Sequence, residues 1–273
     1  MQQFSGPWRP GSMSKPRFGM AGFNYLQQTF CYLQHVRRVR PRRATIAVFL
    51  GAFSLLTSCD DFPKDPEGTL NRVRGGVMRV GISENPPWTW LANGQPRGVE
   101  VQLAEALARD LNARIEWVPG SETQLMQGLR NFELDLVIAG LVEGSPWTGR
   151  VGFTEPYIRT ASLVGVPSGA PAPSALSGQE VAVRRGDPIA DRVRAEGARP
   201  VPTDALPIPG KLAVGEEWQF AAWRYQPTRF VLQEYRRVIA APPGENGWIV
   251  YLQRFLSRRE AEVRAALLSG PKP

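Results

Sequence analysis

Alternating strand-like and helix-like segments are the feature that most constrains how this chain can fold. Val77–Ile82 is rich in β-branched residues and predicts a strand, whereas Val99–Leu111 places its apolar residues on one helical face. Ala113–Val118 predicts the next strand, and Ser121–Gln124 predicts a second helix that opens with a capping box. Leu134–Ala139 is continuously apolar, as in strands of a parallel sheet covered on both faces. This order predicts an α/β fold.

A break in this pattern predicts two lobes. Pro167–Gly178 consists mainly of proline and small residues, and the strand pattern restarts at Glu180–Val183. We therefore place a lobe boundary after residue 166, with a first lobe over 77–166 and a second lobe over 167–240.

A secretory leader precedes the strands. The basic cluster Arg37–Arg43 is followed by the apolar run Thr45–Leu56, which is too short to span a bilayer comfortably. The run ends in Leu56-Thr57-Ser58-Cys59, a bacterial lipobox in which Cys59 carries the lipid. We predict that residues 1–59 are a leader.

The lipobox also predicts where the protein resides. Residues 60–76 are polar and are interpreted as a tether between the lipid and the first strand. Asp60 resembles the signal that retains some lipoproteins at the inner membrane. We expect a periplasmic protein that is lipid-anchored to the outer face of the inner membrane.

Charge and composition exclude several functions for the mature chain. The eight basic residues of 1–59 account for the net charge of +8, so 60–273 is neutral overall and nucleic-acid binding is not expected. His35 and the two cysteines, Cys31 and Cys59, all lie within the leader. A Ser-His-Asp triad, a cysteine nucleophile and a His/Cys zinc site are therefore excluded after residue 59.

Several short motifs resemble the bacterial extracellular solute-binding proteins of family 3, the polar amino-acid receptors of ATP-driven importers. The motifs are Arg79-Val80-Gly81, Asn85-Pro86-Pro87-Trp88, Gly98-Val99-Glu100-Val101-Gln102-Leu103, Leu134-Asp135-Leu136-Val137 and Val151-Gly152-Phe153-Thr154-Glu155-Pro156-Tyr157.

The resemblance implies a type II periplasmic-binding-protein fold, in which two α/β lobes joined by crossover strands close on a ligand like a hinge. It implies that about 241–273 completes the first lobe. It also implies a monomer that captures a small molecule and delivers it to an ABC permease, without a metal or cofactor. We accordingly predict a binding protein rather than an enzyme, with no catalytic residues.

The residues independently indicate a ligand site at the carboxyl ends of the parallel strands. This reasoning points to 83–90, to the loop of 140–150 that begins at Gly140, and to 184–188. The family binds a ligand carboxylate with an arginine in the second of these segments. Trp147 occupies that position here, and Arg150, three residues later, is the nearest candidate to replace it.

Two carboxylates of the second lobe have alternative interpretations. Asp187 follows the end of a strand and is either a ligand contact or a helix N-cap. Glu216 occupies the position where the family holds the ligand's amino group, or else it is a solvated surface acid.

The remaining candidates give the cleft an acidic and aromatic character. Glu84 and Glu143 add negative charge, while Trp88, Trp90 and Trp147 add aromatic faces. Such a site favours a cation over a zwitterion. The alternative for each tryptophan is a place in the core.

Two other function classes remain open. Glu84, Glu143 or Glu216 can act as acid or base in a dehydratase-like enzyme on the same fold, if burial raises a pKa. The protein can also be a ligand sensor that signals through a partner.

Overall fold

The computed structural model describes residues 64–269. The predicted leader 1–59, the lipid-bearing Cys59 and the sorting residue Asp60 lie outside this described part. No helix within it is long and apolar enough to cross a membrane.

The strands of the described part, in chain order, are β1 (Val77–Ile82), β2 (Trp90–Ala92), β3 (Gln95–Arg97), β4 (Arg114–Pro119), β5 (Leu136–Ile138), β6 (Gly152–Phe153), β7 (Ile158–Pro167), β8 (Glu180–Arg184), β9 (Arg199–Thr203), β10 (Leu212–Glu216), β11 (Tyr225–Arg237) and β12 (Ala240–Ala241). The helices are α1 (Thr69–Val73), α2 (Val99–Asp110), α3 (Glu122–Arg130), α4 (Ile189–Ala195), α5 (Glu217–Trp223), α6 (Asn246–Leu256) and α7 (Glu260–Ser269).

A first sheet has the strand order β4-β1-β5-β12-β6. β1 lies parallel to both β4 and β5, so the loops that follow β1 and β5 leave the sheet at the same edge. Its fourth strand, β12, comes from much later in the chain and pairs antiparallel with β5. Helices α2, α6 and α7 share one apolar core with β1.

A second sheet has the order β11-β7-β10-β8-β9. β8 is parallel to β9 and β10, whereas β7 and β11 form a long antiparallel pair. The chain enters this sheet between β6 and β7 and returns to the first sheet between β11 and β12. These two crossings place residues 154–157 and 238–239 between the sheets.

The lobe boundary predicted at residue 166 differs from the observed partition. β7 begins at Ile158 and is hydrogen-bonded throughout within the second sheet, although we assigned it to the first lobe. β7 is an apolar strand, and an apolar strand can belong to the sheet of either lobe. The crossing therefore carries no local signal in the sequence.

The described part of the predicted tether is folded rather than extended. α1 buries Thr69 and Val73, and the carboxylate of Glu245 accepts hydrogen bonds from the backbone N–H groups of Glu67, at 2.9 Å, and Thr69, at 2.8 Å. Thr69 is the first residue of α1, so its N–H has no partner within the helix, and Glu67 lies just before the N-cap Gly68. The distant carboxylate of Glu245 accepts hydrogen bonds from both N–H groups, so residues 64–76 pack on the domain.

Candidate functional site

Gly140 lies at the point where the loops after β1 and β5 meet. Its φ of +61° favours glycine, and an added Cβ would lie 2.6 Å from Cδ1 of Trp88 and 2.7 Å from Nδ2 of Asn85. Its N–H donates to Oε2 of Glu100 at 2.8 Å, and its carbonyl oxygen accepts from Nη1 of Arg237 at 2.7 Å. The predicted importance of this glycine thus has a steric reason.

Trp88 is a core residue whose ring lies against Gly140. It is only 1% exposed and makes an edge-to-face contact with Tyr157. The guanidinium carbon of Arg237 lies 4.6 Å from the centre of its ring. Trp88 is therefore a core residue, as its alternative interpretation predicted, and its role as a ligand contact stays a prediction.

Arg237 contacts residues beside both sheets at this place, and it was not predicted from the sequence. It ends β11, is 6% exposed, and stacks between the rings of Trp88 and Tyr235, the latter at 4.9 Å. Its Nη2 lies 3.3 Å from Oε1 of Glu216. The side chain therefore contacts Gly140 beside the first sheet and Glu216 in the second.

No periodic pattern in the sequence predicts that Arg237 is buried. β11 has irregular register between Pro227 and Gln233, which disrupts the two-residue alternation of buried and exposed side chains. Arg236 and Arg237 are adjacent, but the first is exposed and pairs with Glu143 at 2.7 Å, while the second is buried. Only the three-dimensional structure distinguishes them.

Glu216 lies at the end of β10 and caps α5. Its carboxylate forms a capping box with Gln219 and accepts from Nε1 of Trp218 at 3.2 Å, in addition to its contact with Arg237. Its side chain is 18% exposed. The alternative of a solvated surface acid does not describe it, because it faces a buried cation.

Glu100 is a fully buried acid beneath Gly140. It accepts from the hydroxyl of Tyr157 at 2.6 Å as well as from the Gly140 N–H. Burial raises the pKa of Glu100, although these two hydrogen bonds and the charge of Arg237 oppose the shift. Burial likewise raises the pKa of Tyr157 well above its ordinary value, with the Glu100 charge adding to the shift. From the sequence, Glu100 was identified only as part of a family motif.

Trp147 and Arg150, the two candidates chosen from the 140–150 loop for the ligand carboxylate, contact groups other than Arg237. Trp147 is half-buried against the core cluster that contains Leu125 and Val151. Arg150 is exposed, with its guanidinium carbon 5.9 Å from the Trp147 ring. That distance is at the limit of a cation–π contact, so this pair forms a loose surface stack.

The other predicted residues have mainly local roles. Asp187 accepts from the N–H of Ile189 at 2.9 Å and lies just before Pro188, the N-cap residue of α4. Its role as a ligand contact stays a prediction. Glu84 is exposed and accepts a long hydrogen bond, 3.4 Å, from the N–H of Leu91. Trp90 is half-buried in the β2–β3 ribbon.

Two cavities of the described part are lined by none of the predicted site residues. A shallow cavity of about 510 Å³ lies beside Arg72, Arg79 and Glu116, near the start of β1. A smaller one of about 110 Å³ lies between α5, α7 and Thr160 of β7. Neither contains the Gly140–Arg237 contact.

Solved structures share this fold. An ancestral cationic amino acid solute-binding protein superposes with a TM-score of 0.60 at 18% identity, covering 74% of this chain and 98% of that one. The L-cystine receptor of Neisseria gonorrhoeae gives a TM-score of 0.60 at 17% identity, covering 73% and 94%. The predicted type II periplasmic-binding-protein fold is confirmed.

A curated relative corrects the prediction that the chain is not an enzyme. Membrane-bound lytic murein transglycosylase F of Vibrio cholerae is 33% identical over 97 residues, which are 35% of this chain and 18% of the relative. The chain thus spans about a fifth of the length of the relative, whose name is that of an enzyme. The prediction that the chain is not an enzyme was wrong, because a protein that it resembles carries the name of an enzyme.

A family model matches residues 78–267, which is more than half of the chain and includes every motif quoted for the resemblance. The match also includes Gly140, Glu216 and Arg237. The chain belongs to the bacterial extracellular solute-binding proteins, family 3.

Proposed function

We propose that residues 64–269 bind a small, amino-acid-like molecule between the two sheets, and that the protein serves an ABC importer as its receptor. Family membership supports binding of a small ligand. The observation that carries the proposal is the contact of Arg237 with Gly140 and Glu216, because it sets a buried cation opposite a carboxylate between the sheets.

This arrangement changes the expected electrostatics of the site. The sequence suggested an acidic, aromatic cleft, because glutamates and tryptophans lie near the predicted site and Trp147 occupies the position of the family's arginine. Arg237 adds a buried positive charge near Gly140, and two of the acids counted in that expectation are exposed, Glu84 and Glu143. A buried ion needs a partner of opposite charge. The site is therefore suited to a molecule that carries both charges.

The test uses the full chain in detergent and a panel of L-amino acids. Ligand that binds only the native state raises the melting temperature by mass action, and closure of the two lobes reduces the radius of gyration in small-angle scattering. We expect at least one amino acid to raise the melting temperature and to reduce the radius of gyration. A panel that changes neither quantity at millimolar concentration would contradict the proposal.

Localisation is the second part of the proposal. We expect the protein to be periplasmic and lipid-anchored through Cys59, with Asp60 retaining it at the inner membrane. Radiolabelled palmitate should enter the wild-type protein, and Cys59→Ser should leave an unprocessed or released form. Cys31→Ser, which changes the other cysteine, is the matched control and should label normally.

A second candidate function follows from the murein transglycosylase relative. In this alternative the chain acts in murein turnover, either on murein itself or by binding a fragment of it. Murein peptides carry carboxylates and amines, so the same pair of charges suits them. Release of soluble fragments from purified murein, or tighter binding of a murein peptide than of any free amino acid, would favour this candidate over import.

A further inference from the structure

Arg237 is a buried cation whose hydrogen-bonding capacity is only partly used. Nη1 donates to the Gly140 carbonyl oxygen at 2.7 Å, and Nη2 lies 3.3 Å from the Glu216 carboxylate. Nε is buried and has no hydrogen-bond partner among residues 64–269. Burying a donor without a partner is unfavourable, so this atom marks a place where an acceptor is wanted.

The underused side of the guanidinium has the geometry that recognises carboxylates. Nε and one Nη of an arginine present parallel N–H groups that match the two oxygens of a carboxylate. A charge-assisted N–H···O bond is typically about 2.7–2.9 Å long. The 3.3 Å contact with Glu216 exceeds this length and is single rather than bidentate. Glu216 therefore satisfies the cation only in part.

We infer that Arg237 receives the carboxylate of the bound molecule in place of the missing loop arginine, and that Glu216 receives its ammonium group. The inference rests on the proposed function. The incoming carboxylate takes Nε and the adjacent N–H, and Glu216 turns from Arg237 to the ammonium group. The rings of Trp88 and Tyr235, at 4.6 and 4.9 Å, flank the guanidinium and limit its movement.

Arg150, the candidate chosen from sequence, is less suited to this role. It is exposed, and the charge of an exposed guanidinium is screened by water and salt. Arg237 instead is 6% exposed and lies between groups of both sheets. The ligand class that follows is a zwitterion with neighbouring carboxylate and amine, whereas a cation without a carboxylate leaves Nε unpaired.

Matched ligand pairs test the assignment in the full-chain protein by titration calorimetry. L-lysine is compared with cadaverine and L-tryptophan with tryptamine, because each pair differs only in the carboxylate. We expect the amines to bind about 10- to 100-fold more weakly. Arg237→Lys keeps the charge but loses the fork, and should weaken amino-acid binding by a similar factor. Arg236→Lys is the control, since that exposed neighbour pairs with Glu143.

A second measurement does not depend on finding an amino acid that binds. The Nε–H signal of Arg237, assigned by its absence in Arg237→Lys, is followed by NMR as sodium acetate replaces sodium chloride at constant ionic strength. We expect a saturable shift, and a severalfold tighter acetate response in Glu216→Gln, where the competing carboxylate is neutral.

The two measurements separate the possible failures. An Nε signal that acetate leaves unchanged in both wild type and Glu216→Gln overturns the assignment, as do amino acids that bind Arg237→Lys and wild type equally. An acetate response without any amino acid binding supports Arg237 as a carboxylate receptor and contradicts the proposed function instead.

Discussion

Replacing Gly140 by alanine tests how tightly the site is built. A left-handed backbone costs an L-residue about 1–2 kcal/mol, and the new Cβ at 2.6 Å from the Trp88 ring adds overpacking that typically costs about 1–3 kcal/mol. We therefore expect Gly140→Ala to lower the free energy of unfolding by about 2–5 kcal/mol, a large part of the stability of an ordinary domain.

Gly144 provides the matched control, because its φ is +83° and an added Cβ would have no atom within 4 Å. Gly144→Ala should cost only the backbone component, about 1–2 kcal/mol. Urea unfolding of both full-chain variants, followed by far-ultraviolet circular dichroism, measures the difference. Equal losses in the two variants would refute the claim that Trp88 closes against Gly140.

Three further predictions concern buried charges. Burial raises the pKa of Glu100 in the folded protein, so the folded protein binds the carboxyl proton more tightly than the unfolded chain does. The free energy of unfolding should therefore fall as pH rises from the ordinary carboxyl pKa through the raised value. Glu100→Gln should flatten this pH dependence. For Asp135, burial acts to raise the pKa, but hydrogen bonds from Arg79 and Arg72 outweigh it and the pKa is lowered; this carboxylate should therefore stabilise the fold above its unfolded pKa and lose that contribution as pH falls through the lowered one. Asp135→Asn should remove this acid-side dependence and lower the neutral-pH free energy of unfolding by about 1–3 kcal/mol, because the arginines left behind, Arg72 and Arg79, are 39% and 28% exposed and stay hydrated. Urea unfolding across pH measures both effects, and an unchanged pH profile would contradict the pairing. Tyr157→Phe should leave the Glu100 carboxylate with one donor fewer and destabilise the protein by about 1–3 kcal/mol in the same assay; no loss would show that the 2.6 Å hydrogen bond contributes little.

The sequence predicted those helices and strands that are determined by residues close together in the chain. The capping box at Ser121 and Gln124 is present at the start of α3: the Gln124 N–H donates to Ser121 Oγ at 3.4 Å, and the Ser121 N–H donates to Gln124 Oε1 at 3.1 Å. The apolar run after residue 134 forms the buried strand β5 between β1 and β12. In each case the residues that decide the structure lie within a few positions of one another.

β9 shows why a proline-rich strand escaped prediction. Pro200 and Pro202 lie within Arg199–Thr203, and proline lacks the N–H that a central strand needs. β9 is an edge strand that pairs only with β8, so the missing donors are tolerated. Whether a strand lies at the edge depends on the order of strands in the whole sheet, so the sequence of the segment does not predict it.

The site itself depended on contacts between residues distant in sequence. Gly140, Trp88 and Glu216 were predicted as site residues because a family pattern or a strand end indicated them. Arg237 contacts Gly140, 97 positions earlier, across the return from the second sheet to the first. No local pattern encodes that contact, and without it the charge of the cleft was interpreted as acidic.

The central claim is that a small molecule binds beside Glu216 between the two sheets. The indole N–H of Trp218 reports on this place, because it donates to Oε2 of Glu216 at 3.2 Å. Trp248 is the internal control, since its indole N–H donates to the backbone carbonyl of Asp135 in the core of the first sheet. The measurement is an NMR titration of these two signals in the full-chain protein with the L-amino-acid panel. The account predicts a saturable shift of the Trp218 signal with the Trp248 signal unchanged; a ligand that binds while the Trp218 signal stays fixed would contradict it.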